Sequence, residues 1–140
     1  MTRSGHGDVS KAALLTDEER EKSVVISDPA LPDMPIIFAS GDFEEQTGYS
    51  PQEVLGRNCR FLQGPETDPN AIEAIRHALA AKTRITIDIL NYRKNGEKFW
   101  NRLRIRPVFD KKGNLKYFIG NQNPIPAEEV RPDSTNGVID

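Results

Sequence analysis

Residues 85–105 read ITIDILNYRKNGEKFWNRLRI. Ile85, Ile87 and Ile89 alternate with Thr86 and Asp88, the period of a strand with one buried face. Asn91 is the next residue of that parity. After a reversal, Phe99, Leu103 and Ile105 share a face, with Asn101 among them. Trp100, Arg102, Arg104 and Arg106 occupy the opposite face, which suits water or a partner. The turn decides whether the two apolar faces coincide. A two-residue turn at Asn95-Gly96 would pair Asn91 with Trp100 and set isoleucines against arginines. A three-residue loop, Lys94-Asn95-Gly96 with Gly96 left-handed, moves the pairing by one and joins the apolar faces. That register is expected, with Asn91 on the face of Phe99 and Asn101.

The same reading extends in both directions. Turn residues Asp110 to Asn114 lead into a third strand, Lys116 to Asn123, where Phe118 and Gly120 share parity with Gln122. Upstream, Ser23 to Ser27 and Pro35 to Ala39 read as strands. Short helices are expected at Asp42–Thr47 and Pro51–Leu55, the second started by Ser50. Asp68-Pro69 opens a longer helix whose apolar stripe is Ile72, Ile75 and Leu79. Two strands, helices, then three strands predict an α+β domain: a five-stranded antiparallel sheet with helices on one face. Thr16 and Glu19 fit a capping box, so residues 1–22 are expected to form an N-terminal helical cap. Residues 23–125 form the core. Residues 126–140, with their prolines and acids, are expected to be a flexible tail.

The chain has 140 residues and a formal net charge of -2, from 19 basic and 21 acidic side chains. This balance gives no drive toward nucleic acid or an acidic membrane. No apolar run approaches a membrane span and no leader is recognisable, so a soluble cytoplasmic protein is expected. A single cysteine, Cys59, excludes an intramolecular disulfide and a zinc site built on several cysteines; no metal is expected.

Three carboxamides, Asn91, Asn101 and Gln122, fall on adjacent strands with inward parity. Each would cost roughly 1–3 kcal/mol if buried unpaired. Singly, each is explained by a bond to local backbone; together they suit a planar heterocycle with N–H and C=O edges. Arg60 and Arg76 are ordinary surface residues on one reading. On the other they clamp a phosphate by charge-assisted hydrogen bonds. A flat heterocycle carrying a phosphate accounts for both sets.

Gly56-Arg57-Asn58-Cys59-Arg60-Phe61-Leu62-Gln63 resembles the signature of the light-oxygen-voltage (LOV) photosensors, a branch of the PAS domains. Asn91 to Gly96, Phe99-Trp100-Asn101 and Tyr117 to Gln122 resemble the family's later segments. The likeness covers residues 24–124 and is nearest to short bacterial LOV proteins without an effector domain. It implies the PAS/LOV fold and flavin mononucleotide (FMN) as chromophore. It also implies a reversible, light-driven bond between the Cys59 sulfur and flavin C4a. By the same resemblance Asn91 and Asn101 bond the pyrimidine edge, and Asn58 and Gln63 contact the ring or ribityl chain. Arg60 and Arg76 hold the phosphate, and Gln122 faces N5 and O4 and reorients on illumination. Val25, Ile36, Phe43, Leu62, Ile75, Leu79, Leu103, Ile105, Phe118 and Gly120 line the ring. A binding and signalling module, not an enzyme, is implied. Its output would pass through the termini to an unidentified protein partner or to a homodimer formed by the N-terminal helix or sheet face. The alternative is a flavin-binding redox sensor or small flavoprotein. Asn121 and Asn123 depart from the family pattern.

Overall fold

The computed structural model describes residues 5–7, 14–20, 22–40 and 42–131. Residues 1–4, 8–13 and 21 of the expected cap, and residues 132–140 of the tail, lie outside them. In chain order the elements are β1 (Gly5–Gly7), α1 (Asp17–Arg20), β2 (Ser23–Ser27), β3 (Ile36–Ser40), α2 (Asp42–Thr47) and α3 (Pro51–Val54). A 3-10 helix (Cys59–Leu62) follows, then α4 (Pro69–Ala81), β4 (Ile85–Tyr92), β5 (Lys98–Phe109), β6 (Leu115–Gln122), β7 (Pro124–Ile125) and a last 3-10 turn (Ala127–Glu129). One antiparallel sheet runs β1-β3-β2-β6-β5-β4, with β7 paired to β5 beyond the end of β6. Five of these strands are the expected ones; β1 and β7 are short additions. Among the described residues no helix is long and apolar enough to cross a membrane.

The hairpin register is the three-residue one. Asn91 pairs with Phe99 and Ile89 with Asn101. Gly96 has φ +90°, and its N–H donates to Arg93 O at 2.9 Å. Capping explains the helix starts. Ser50 and Glu53 form a reciprocal box at α3, and the Asp68 carboxylate accepts from Asn70 N ahead of α4. Thr16 and Glu19 do the same at α1, at 2.9 and 3.1 Å.

A bulge in β3 distributes side chains between the two sheet faces. Ile26 pairs with Phe38, but Ser27 pairs with Ile36, leaving Ile37 as the extra residue. Ile36 therefore packs with Val25, Ala39, Phe43, Val54 and Leu62 on the helical side, while Phe38 joins Leu15, Val24, Ile26 and Ile119 on the other. Val24 on that other face is fully buried and packs with Leu15.

The outward arginine row holds the flanking segments at residues 14–19 and at Glu129 on the sheet. Arg106 donates to both Glu19 carboxylate oxygens, at 2.8 and 2.9 Å, and to Leu14 O at 3.0 Å. Arg102 donates to both oxygens of Asp88, its cross-strand partner, at 2.8 and 3.1 Å, and to Glu129 O at 2.9 Å. Asp88 is fully buried and also accepts from Arg131 N at 3.0 Å. The segment expected to be flexible from residue 126 is thus held as far as Arg131.

Burial alone would raise the Asp88 pKa, but the Arg102 and Arg131 bonds outweigh it and hold the carboxyl below the usual range. Its contribution to stability is therefore complete above about pH 4 and is lost as pH falls through the lower folded value. Asp88→Asn should cost about 3 kcal/mol in denaturant unfolding. It should also speed hydrogen exchange at residues 127–131 and flatten the acid limb of stability against pH.

Candidate functional site

A cavity of about 430 Å³ lies between the sheet and the helical layer. Its size falls within the range of small-molecule sites. The sheet contributes Val25, Ser27, Ile89, Asn91, Leu103, Ile105, Phe118, Gly120 and Gln122; α4 contributes Ile72, Ile75, Arg76 and Leu79. The remaining wall comes from Ile36 at the start of β3, from Met34 and Phe43, and from the run Asn58 to Gln63. Seventeen of the eighteen residues singled out from sequence line this one space. Among the described residues no acidic, histidine or lysine side chain lines it, and no group of three or more His, Cys, Asp or Glu could hold a metal.

Asn101 is the exception. Fully buried, it lies outside the cavity lining. Its amide donates to Asn91 Oδ1 at 3.0 Å and to Gln122 Oε1 at 2.7 Å. Its own oxygen accepts from Asn123 N at 2.8 Å. Asn101 therefore positions the two carboxamides that do line the wall.

Asn58 lines the cavity and also bonds locally. Its oxygen caps the 3-10 helix by accepting from Arg60 N at 2.9 Å, and its amide donates to Asp33 O at 2.7 Å. This capped turn presents Cys59 to the cavity. Behind it, the Phe61 ring meets Tyr49 edge-on at 4.9 Å, and the Arg57 guanidinium lies 4.4 Å over Phe61. Gly64 is needed after the turn, because a Cβ there would collide with the Tyr92 ring.

Cys59 is half-buried, with its sulfur 3.7 Å from Ser27 Oγ. Burial pushes the thiol above its ordinary range, and the Ser27 contact only partly opposes this. The group is a protonated thiol near neutrality, unlike a cysteine activated as a thiolate by a base. Arg60 and Arg76 sit in the lining with their side chains largely exposed. Arg60 contacts Asp33 at 2.6 Å; Arg76 has Glu73 at 3.8 Å.

Five lining residues were not singled out: Ser27, Met34, Phe61, Ile72 and Ile89. Ile89 and Ser27 share strand parity with Ile87 and Val25, and Ile72 lies on the α4 stripe. The signal for these three was the periodicity of the strand or helix itself. Met34 is placed by a tight turn with no such periodicity.

A PAS domain model matches residues 21–123. The solved structure described as "Flavin Analogue Sheds Light on Light-Oxygen-Voltage Domain Mechanism" is 45% identical, with a TM-score of 0.78, covering 86% of this chain and 87% of that one. This chain belongs to the PAS family, in its light-oxygen-voltage branch. Phototropin-2 of Oryza sativa subsp. japonica is 54% identical over 76% of the chain, and a blue-light-activated histidine kinase of Rhizobium johnstonii is 46% identical over 86%. The LOV chain spans only 12% and 35% of those two relatives' lengths.

The raised thiol has a direct consequence. In the dark, iodoacetamide should alkylate Cys59 about tenfold or more slowly than a small-peptide cysteine at pH 8, with the rate still rising above pH 9. Reaction at the free-thiol rate would contradict the buried setting.

Proposed function

We propose that this LOV domain is a blue-light sensor that holds FMN in the cavity and signals through Gln122 and the chain termini. One observation carries the reading. A buried, protonated thiol shares a single apolar cavity with a carboxamide pair and two guanidiniums. The residues fit the group. Leu62, Ile75, Leu79, Leu103, Ile105 and Phe118 offer apolar walls for a flat ring, and Gly120 adds no side chain to the space. Asn91 and Gln122 supply donors and acceptors for a polar ring edge. Arg60 and Arg76 suit a phosphate. The names of the relatives, phototropin and blue-light-activated histidine kinase, support light as the stimulus.

When bound, the flavin would supply a blue-light-excited ring able to bond reversibly to the Cys59 thiol. The chain's part is to place and hold. The capped 3-10 turn aims the sulfur into the cavity. Burial keeps it protonated, and among the described residues no acidic, histidine or lysine side chain lines the space to act as a base. Apolar walls exclude water. Gln122 is tied to Asn101, and Asn101 to the Asn123 backbone. Asn123 O in turn accepts from Arg102 N at 2.8 Å, and Arg102 holds Asp88 and the C-terminal segment. A change in the Gln122 amide therefore has a bonded route to the outer face, where a second copy or another protein would read it. The reading assigns no enzymatic activity to this domain.

Purified protein should show a blue absorption band that bleaches under blue light and returns in darkness. Cys59→Ala should keep the band, lose the bleaching and fluoresce more strongly. A colourless protein, or normal bleaching in Cys59→Ala, would refute the proposal. A stable band that never bleaches in the unaltered protein would favour redox work instead.

A further inference from the structure

The turn ahead of β3 carries an acid to the cavity mouth. In it Asp33 and Met34 both have positive φ, 64° and 46°. Side chains other than glycine take this conformation only where the surroundings fix it. Here the surroundings are the two neighbours of Cys59. Asn58 Nδ2 donates to Asp33 O at 2.7 Å and reaches Met34 O at 3.5 Å. Arg60 Nη2 donates to Asp33 Oδ2 at 2.6 Å. Met34, Asn58 and Arg60 all line the cavity, so the turn and the thiol's own helix are fastened together at its wall.

A phosphate placed on Arg60 would share that guanidinium with the Asp33 carboxylate. The planar fork has donors enough for both. The two anions nevertheless repel, and the carboxylate offsets part of the positive charge at the mouth. Both side chains are more than half exposed, so water and salt weaken the effect without abolishing it.

We infer that Asp33 is a specificity-determining residue that weakens the grip on the phosphate, and so narrows the discrimination between phosphorylated and unphosphorylated flavin. This rests on the reading of the cavity as a flavin site. The left-handed backbone permits a clean test, because asparagine tolerates positive φ as aspartate does. Asp33→Asn removes the charge and keeps the shape.

FMN and riboflavin are titrated separately into the ligand-free full chain at low salt, and binding is read by quenching of flavin fluorescence. In Asp33→Asn, FMN should bind about three- to tenfold more tightly, while riboflavin stays within about twofold. The gain should shrink at high salt and vanish in an Arg60→Gln background. An unchanged FMN-to-riboflavin ratio overturns the inference. So does weaker FMN binding, which would make Asp33 a support for Arg60. A gain that persists without Arg60 overturns it as well. If neither flavin binds the unaltered chain, the cavity reading falls and this inference with it. If both bind and the ratio does not move, only this inference falls.

Discussion

The buried side chain of Asn101 is the constraint on which the rest depends. It spends two N–H groups on Asn91 and Gln122 and its oxygen on Asn123 N, with no exposure to water. A buried amide left without partners is expensive, so these bonds fix three strands relative to one another. They also fix register. A slip of one residue between β4 and β5 would turn Asn101 outward and send the arginines into the apolar layer. The polar end of the cavity and the alignment of the sheet are therefore the same piece of structure.

The two faces of the sheet divide the labour. Inward, apolar side chains from β4, β5 and β6 meet the stripe of α4 and leave room for a ligand. Outward, Arg102 and Arg106 hold the C-terminal segment and the N-terminal cap. Burying Asp88 is costly unless its partners are well placed. Two guanidinium bonds and a backbone N–H meet that demand. Asn101 belongs to both systems, because its partner Asn123 is also bonded to the Arg102 backbone. On the proposed reading a change at Gln122 would reach the docked segment by bonds already in place, without a long displacement.

Much of this was legible in the sequence because it is local or periodic. Ser50 with Glu53, Asp68 with Pro69, and the loop ending at Gly96 each fix a helix start or a strand register within a few residues. Alternation then predicts which strand side chains face inward, and of the eighteen positions singled out, most of them through the family resemblance, seventeen line the cavity. What escaped depends on partners far apart along the chain. The bulge at Ile37, the Ser27–Cys59 contact, the Asp33–Arg60 pair and the docking of Arg131 on Asp88 have no local signature. Asn101 shows the limit of parity itself. Alternation gave its face, but not that Asn91 and Gln122 would take up its amide.

The most direct test of the account is hydrogen exchange at the Asn123 amide, measured in darkness and under blue light. This N–H bonds the Asn101 oxygen in the structure. If Gln122 reports the Cys59 bond through Asn101, illumination should speed exchange at Asn123. In Gln122→Leu the flavin should still bleach while the light-induced change at Asn123 disappears. Full bleaching of the unaltered protein with identical exchange in dark and light would contradict the account.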